Sequence, residues 1–157
     1  MKMSLTIAGA QELERNLATL GQRVHKKVVR KAVREGQRPL LAATKANARS
    51  LVGGEMGATI AKHLQIRAPK RQRRRGSYSL LVQLRPGIDA FVHISQSGKR
   101  SYIPAAIEYG HMSGESYVPP IPFAREAAEA TRNESMRRFT EEMRIGTLRE
   151  AIKGRTT

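Results

Sequence analysis

The sequence contains no cysteine, and that absence removes disulfide frameworks, thiolate zinc sites, iron–sulfur clusters and cysteine nucleophiles together. Acidic residues are also scarce: 13 Asp and Glu stand against 29 Lys and Arg, and Asp89 is the single aspartate. Metal-dependent cleavage draws on clustered carboxylates, so a nuclease centre has little to be built from and no enzyme is expected. Aromatics make up 4% of the chain, which predicts an aliphatic core, light for its length. No run approaches the ~18–20 apolar residues of a membrane helix. Met1 to Gly9 lacks the long apolar stretch of a secretory signal, and the expectation is a soluble chain with no membrane partner.

What the sequence does hold is positive charge, unevenly placed. A chain of 157 residues is about one domain, able to hide roughly 68–70% of the surface of its unfolded form. Its net charge is +16. Residues 22–50 carry nine basic residues and one acid, Glu35, for +8, and residues 67–75 carry six basic residues and no acid, for +6. Two local features therefore make the protein basic. At least one of them is expected to face a polyanion or an acidic protein surface.

Periodicity predicts the elements. Met3 to Ala8 alternates as a short strand, and Leu13, Leu17 and Leu20 follow at helical spacing. A long helix is expected from Gln22 to about Arg49, kinked or split at Pro39 because proline removes a helical hydrogen bond and crowds the preceding turn. Gly53-Gly54 and Gly57 break the chain, with one or two helical turns over Ala58–Leu64. Ser77–Leu84 reads as the best strand, paired with Ala90–Ser95 across Pro86-Gly87. After a loop at Gln96–Arg100, Ile103–Tyr109 reads as a short helix with Pro104 in its first turn and Gly110 at its end. The last helix opens at Pro122, carries Phe123, Ala124, Ala127, Ala128, Met136, Phe139 and Met143 on one stripe, and frays after about Gly146. The fold class is α+β: a small antiparallel sheet against long N-terminal and C-terminal helices, with a basic loop or arm. We expect one domain over residues 1–146, a mobile basic arm at 67–76 within it, and a tail at 147–157.

Catalytic and metal constellations are not evident. His25, His63, His93 and His111 are scattered, and no two stand at helical metal-ligand spacing. Glu108, His111 and Glu115 share a Gly-rich turn, which reads as a structural loop, with Glu108 available to an arginine of a neighbouring subunit. GGEMG at Gly53–Gly57 lacks the Lys and Ser or Thr of a phosphate-binding loop and follows a helix where that motif follows a strand. No cofactor is implied.

The stretch from Tyr102 to Ala128 contains four of the seven aromatics and four of the seven prolines. Pro119-Pro120-Ile121-Pro122 cannot join a sheet interior, since three of the four residues lack a backbone donor. This composition suits docking: Tyr102, Ile107, Glu108, Tyr109, Tyr117, Pro120, Pro122 and Phe123 form the candidate interface. Arg67, Lys70, Arg71, Arg73, Arg74 and Arg75 form a candidate contact with DNA or an acidic partner, with a solvated loop as the alternative. Only Tyr78 lies near enough in sequence to stack on a base.

Taken in order, LTIAGAQELERNLATLG, the basic helix VHKKVVRKAVREGQRPLLAATKANA and YIPAAIEYGHMSGESYVPPIPFAREAAEA resemble the tail-completion or head-to-tail joining proteins of long-tailed, non-contractile bacteriophages. The likeness spans nearly the whole chain. Its most telling part is an aromatic and aliphatic approach to a Glu-Tyr/Phe-Gly turn, then Pro-Phe and a final helix opening with Ala. Here those positions are Ile107, Glu108, Tyr109 and Gly110, then Pro122, Phe123, Arg125 and Ala127. Many relatives carry Gly-Thr or Gly-Ser where this chain has Gly110-His111.

The resemblance implies a structural virion protein with no catalysis, located at the head–tail interface and assembled in the host cytoplasm. It implies a homo-oligomeric ring, six-fold by phage tail symmetry, closed by head-to-tail contacts around the DNA channel. Head-closure, tail-terminator and tail-tube proteins are the implied neighbours, and genomic DNA a further contact. Head closure or tail termination are alternative duties within the neck. A sequence-tolerant nucleic-acid-binding protein is the alternative outside it, supported by the charge.

Overall fold

The computed structural model describes residues 22–69 and 78–153. The expected strand at Met3–Ala8, the helix carrying Leu13 to Leu20, and the arm residues Lys70, Arg71, Arg73, Arg74 and Arg75 lie outside them. Helix α1 covers Gln22–Asn47 and passes into a π-helical turn at Ala48–Val52, followed by α2 at Gly54–His63. Strands β1 (Leu64–Arg67) and β2 (Leu81–Leu84) come next, then a 3₁₀ turn at Asp89–Phe91, β3 (Val92–Ile94) and β4 (Arg100–Tyr102). Helix α3 spans Ile103–Tyr109, strands β5 (His111–Ser113) and β6 (Ser116–Val118) follow, and α4 runs from Phe123 to Lys153. The protein is α+β, with three two-stranded antiparallel sheets and long helices towards both ends of the described chain.

Several local expectations are corrected by this arrangement. Pro39 sits inside α1 without splitting it, because one missing donor removes a single bond from a helix held elsewhere by its packing. Gly57 does not break the chain. It lies within α2, and a Cβ there would overlap the Ala48 carbonyl oxygen. The break falls at Gly53, just before α2 opens with Gly54; their φ angles of 68° and 54° lie in the region that glycine adopts without strain. We expect Gly57→Ala to lower stability by about 1–3 kcal/mol, the usual cost of forcing atoms into a filled site. A denaturant midpoint unchanged from wild type would contradict that.

The strand pairing also differs. β2 pairs with β1, and β3 pairs with β4 in the register Val92↔Tyr102, His93↔Ser101, Ile94↔Arg100. The expected Ser77–Leu84 with Ala90–Ser95 hairpin does not form, because the 3₁₀ turn after Pro86-Gly87 diverts the chain and places Phe91 in the core at 1% exposure. Part of the predicted Gln96–Arg100 loop is the tight β3–β4 turn, closed by the Ser95 and Gly98 backbone bonds.

The described residues fall into two compact units, one of residues 40–65 and 82–131, the other including residues 22–39, 66–69, 78–81 and 132–153. In the first, Ala48, Ile60, Ala61, Leu64, Phe91, Phe123 and Ala124 form the core, with Leu41, Val52, Met56, Val82, Leu84, Ile88 and Ile107 around it. The ring of Phe91 meets His63 and Tyr102 edge-on, with centroids 5.9 and 6.2 Å away. In the second, the early part of α1 packs antiparallel to the late part of α4 through Val28, Ala32 and Met143. The two backbones approach at glycines: a Cβ on Gly36 would lie 3.1 Å from the Ser135 carbonyl oxygen, and one on Gly146 2.7 Å from Val28 Cγ1. Gly146 therefore ends nothing, and α4 continues to Lys153.

Candidate functional site

The Tyr102–Arg125 segment forms a clasp in the first unit. The helix α3 is short, and its Glu108 side chain is buried at 2% exposure. Glu108 Oε2 accepts from the Ala124 N–H at 2.9 Å and Oε1 from the Arg125 N–H at 3.0 Å. These are the second and third residues of α4, whose first-turn donors have no partner within the helix. Pro122, just before the helix, has no side-chain acceptor, so a carboxylate from α3 supplies the cap and places negative charge at the positive helix end.

Arg125 closes the clasp from outside. Its Nε lies 3.4 Å from Glu108 Oε1, its Nη2 donates to the Glu108 carbonyl at 3.3 Å, and its guanidinium stands 5.5 Å from the centre of the Tyr109 ring. The Ile121 N–H donates to the Ile107 carbonyl at 2.7 Å, and Asn47 Nδ2 donates to the Phe123 carbonyl at 3.1 Å. Glu108 thus pairs with an arginine of its own chain, which corrects the expectation of an intersubunit partner. Phe123, at 4% exposure, belongs to the core. Neither residue stands on a surface.

The other predicted interface residues divide. Ile107 packs against the core, and Pro122 is half-buried. Tyr109 is 50% exposed and Tyr117 62% exposed, and Pro120 is exposed. Tyr102 keeps an open edge while resting on Phe91, and its partial burial raises the hydroxyl pKa above the ordinary tyrosine value.

Between α3 and α4 stands a feature missed in the sequence. The β5–β6 hairpin pairs His111↔Val118, Met112↔Tyr117 and Ser113↔Ser116. Its loop is Gly114-Glu115, with φ 63° at Gly114 and no positive φ at Glu115, the pattern of a type II′ turn. Ser-Gly-Glu-Ser was the available signal. Every residue from His111 to Pro120 is exposed, including Met112 at 60% and Val118 at 38%. At the base, Gly110 has φ 77°, and a Cβ there would meet Tyr117 Oη, the Val118 carbonyl and Pro120 N at 2.8, 2.9 and 3.2 Å. His111 Nδ1 lies 3.4 Å from the Ala106 carbonyl oxygen.

Of the predicted basic contact, Arg67 is described and is exposed at the end of β1. Among the described residues, no group of three or more His, Cys, Asp or Glu could hold a metal ion, and no helix is long and apolar enough to cross a membrane. No protein-family model matches this chain, and no curated protein or solved structure is significantly similar to it.

Proposed function

We propose that this chain is a structural subunit of the neck of a long-tailed, non-contractile bacteriophage, forming a ring, six-fold in keeping with tail symmetry, that completes the tail or joins it to the head. Its work is assembly, without catalysis. The observation that carries the reading is the apolar hairpin: Met112, Tyr117 and Val118, with Tyr109 at its base, are more than a third exposed on an element without a fully buried residue. An isolated two-stranded hairpin is marginal in water, and large exposed apolar side chains gathered on one element mark interaction sites. The clasp supports this role by holding the hairpin on a rigid base, which lowers the ordering cost on binding. The partner is a second copy of the chain or an adjoining neck protein, as the family resemblance implies.

Light scattering after gel filtration, run alone and with tail-tube or tail-terminator protein, tests the reading. The mixed sample is expected to give a complex well above the 17.5 kDa of one chain. The double variant Tyr109→Ala, Tyr117→Ala is expected to melt like wild type while weakening assembly roughly tenfold or more, since aromatic anchors at interface centres contribute ~2 kcal/mol or more. Reversing the exposed Glu129 to Lys is expected to change assembly several-fold at most, because exposed charges are screened. A chain that stays monomeric in the mixture contradicts the reading.

A further inference from the structure

Five of the cations of α1 sort into two rows. Lys27 and Lys31 are answered by carboxylates of α4, with Lys27 Nζ 3.5 Å from Glu150 and Lys31 Nζ 2.6 Å from Glu142 Oε1. Although close, the Lys31 contact is poorly directed, since Glu142 Oε1 gains no hydrogen bond from it. Arg38 pairs with Glu35 at 3.0 Å. Lys26, Arg30 and Arg34 are exposed, and none of them forms an ion pair among the described residues. Positions four apart rise by about 6 Å and turn by about 40° each, so these three cations form one line on one face.

Two further observations give the row a direction. The Arg30 guanidinium stands 5.5 Å from the centre of the Tyr78 ring, which holds the middle cation in place and leaves an aromatic beside it. No large apolar side chain is exposed on α1 between Lys26 and Arg38. A protein interface has an apolar, charge-depleted centre, whereas a nucleic-acid backbone asks for cations at regular intervals and little else.

We infer that Lys26, Arg30 and Arg34 form a binding row for the phosphate backbone of double-stranded DNA. The row belongs to α1 and is distinct in sequence from the basic segment at 67–75, and it is expected to bind without reading sequence, because contacts to phosphates carry no sequence information. This goes beyond the neck reading and does not require it. A neck subunit without DNA affinity leaves the assembly test untouched, and a DNA-binding chain that joins no neck leaves the row standing.

The test is titration of the full chain into a short mixed-sequence DNA duplex at several salt concentrations. For wild type, the logarithm of the binding constant falls linearly with the logarithm of salt. The variant Lys26→Ala, Arg30→Ala, Arg34→Ala is expected to make that slope shallower by about two to three and to weaken binding roughly tenfold or more at low salt. Its thermal melt is expected to match wild type, because all three side chains are exposed. The conservative variant Arg30→Lys, Arg34→Lys keeps the charges and is expected to keep the slope.

Four results overturn the inference: no duplex binding by wild type, a triple variant with the wild-type slope, a conservative variant as weak as the alanine one, or poly-glutamate binding as tightly as DNA. The last would assign the row to an acidic protein. Arg71→Ala, Arg73→Ala, Arg74→Ala, Arg75→Ala, made in parallel, is expected to lower the slope independently of the row. If that variant abolished binding while the triple variant left the slope unchanged, the basic segment alone would be the contact.

Discussion

Glu108→Ala is expected to destabilise the protein by about 3 kcal/mol and lower its melting temperature by roughly 10 °C. Two backbone donors, on Ala124 and Arg125, lose charge-assisted hydrogen bonds of 2.9 and 3.0 Å inside the fold. An unsatisfied buried donor costs its full desolvation, and a bond to a charged acceptor contributes ~1.5–3 kcal/mol. The Arg125 ion pair adds little, because that guanidinium is half-exposed and screened. Glu108→Gln keeps a single acceptor oxygen for the two donors and is expected to fall between wild type and the alanine variant. Thermal melts of the three proteins check the order. Equal melting temperatures would mean that the carboxylate does not hold the start of α4.

Phe123→Ala is expected to cost about 3–5 kcal/mol, the range for emptying an aromatic site in a packed core. Phe123 is 4% exposed in the cluster formed with Ile60, Leu64 and Phe91. The loss would appear as unfolding or aggregation of the single chain, before any question of assembly. Urea denaturation, read by circular dichroism, measures it. A variant with wild-type stability that fails to join its partners would return Phe123 to the surface, where its sequence neighbours had placed it.

These two residues show how far the sequence could be read. Glu108-Tyr109-Gly110 and Pro122-Phe123 were recognisable as a unit, and they do meet in space, yet the composition alone could not tell an internal clasp from an external anchor. The difference lies in tertiary geometry: the buried Glu108 reaches the helix start 16 residues further along the chain. Local signals were reliable where local physics decides. Pro104 in the first turn of α3 and Gly110 with φ 77° at its end both follow from backbone preferences.

Signals failed where packing or pairing decides. Pro39 should interrupt a helix, but α1 passes through it, and Gly36, three residues earlier, is held against Ser135 and Phe139. Gly57 reads as a loop residue in the sequence and lies instead within α2, where a Cβ would overlap the Ala48 carbonyl. The apolar β2 run found β1, 14 residues upstream of its first residue, because strand partners are chosen by the completed core. The β5–β6 hairpin escaped notice because each of its strands is three residues long and wholly exposed, too short to show a period.

The β5–β6 hairpin is exposed in the single chain, and the proposed neck role requires it to be covered in the assembled particle. Hydroxyl-radical footprinting reads this directly, because methionine and tyrosine side chains oxidise according to their exposure. In the free protein, Tyr109, Met112 and Tyr117 are expected to oxidise readily, while Met143, at 3% exposure, serves as the protected internal reference. In purified neck complexes or whole particles, the same three residues are expected to become protected to a level approaching that of Met143. Unchanged oxidation of Met112 and Tyr117 in assembled particles, or particles that contain no copy of the chain, would contradict the account.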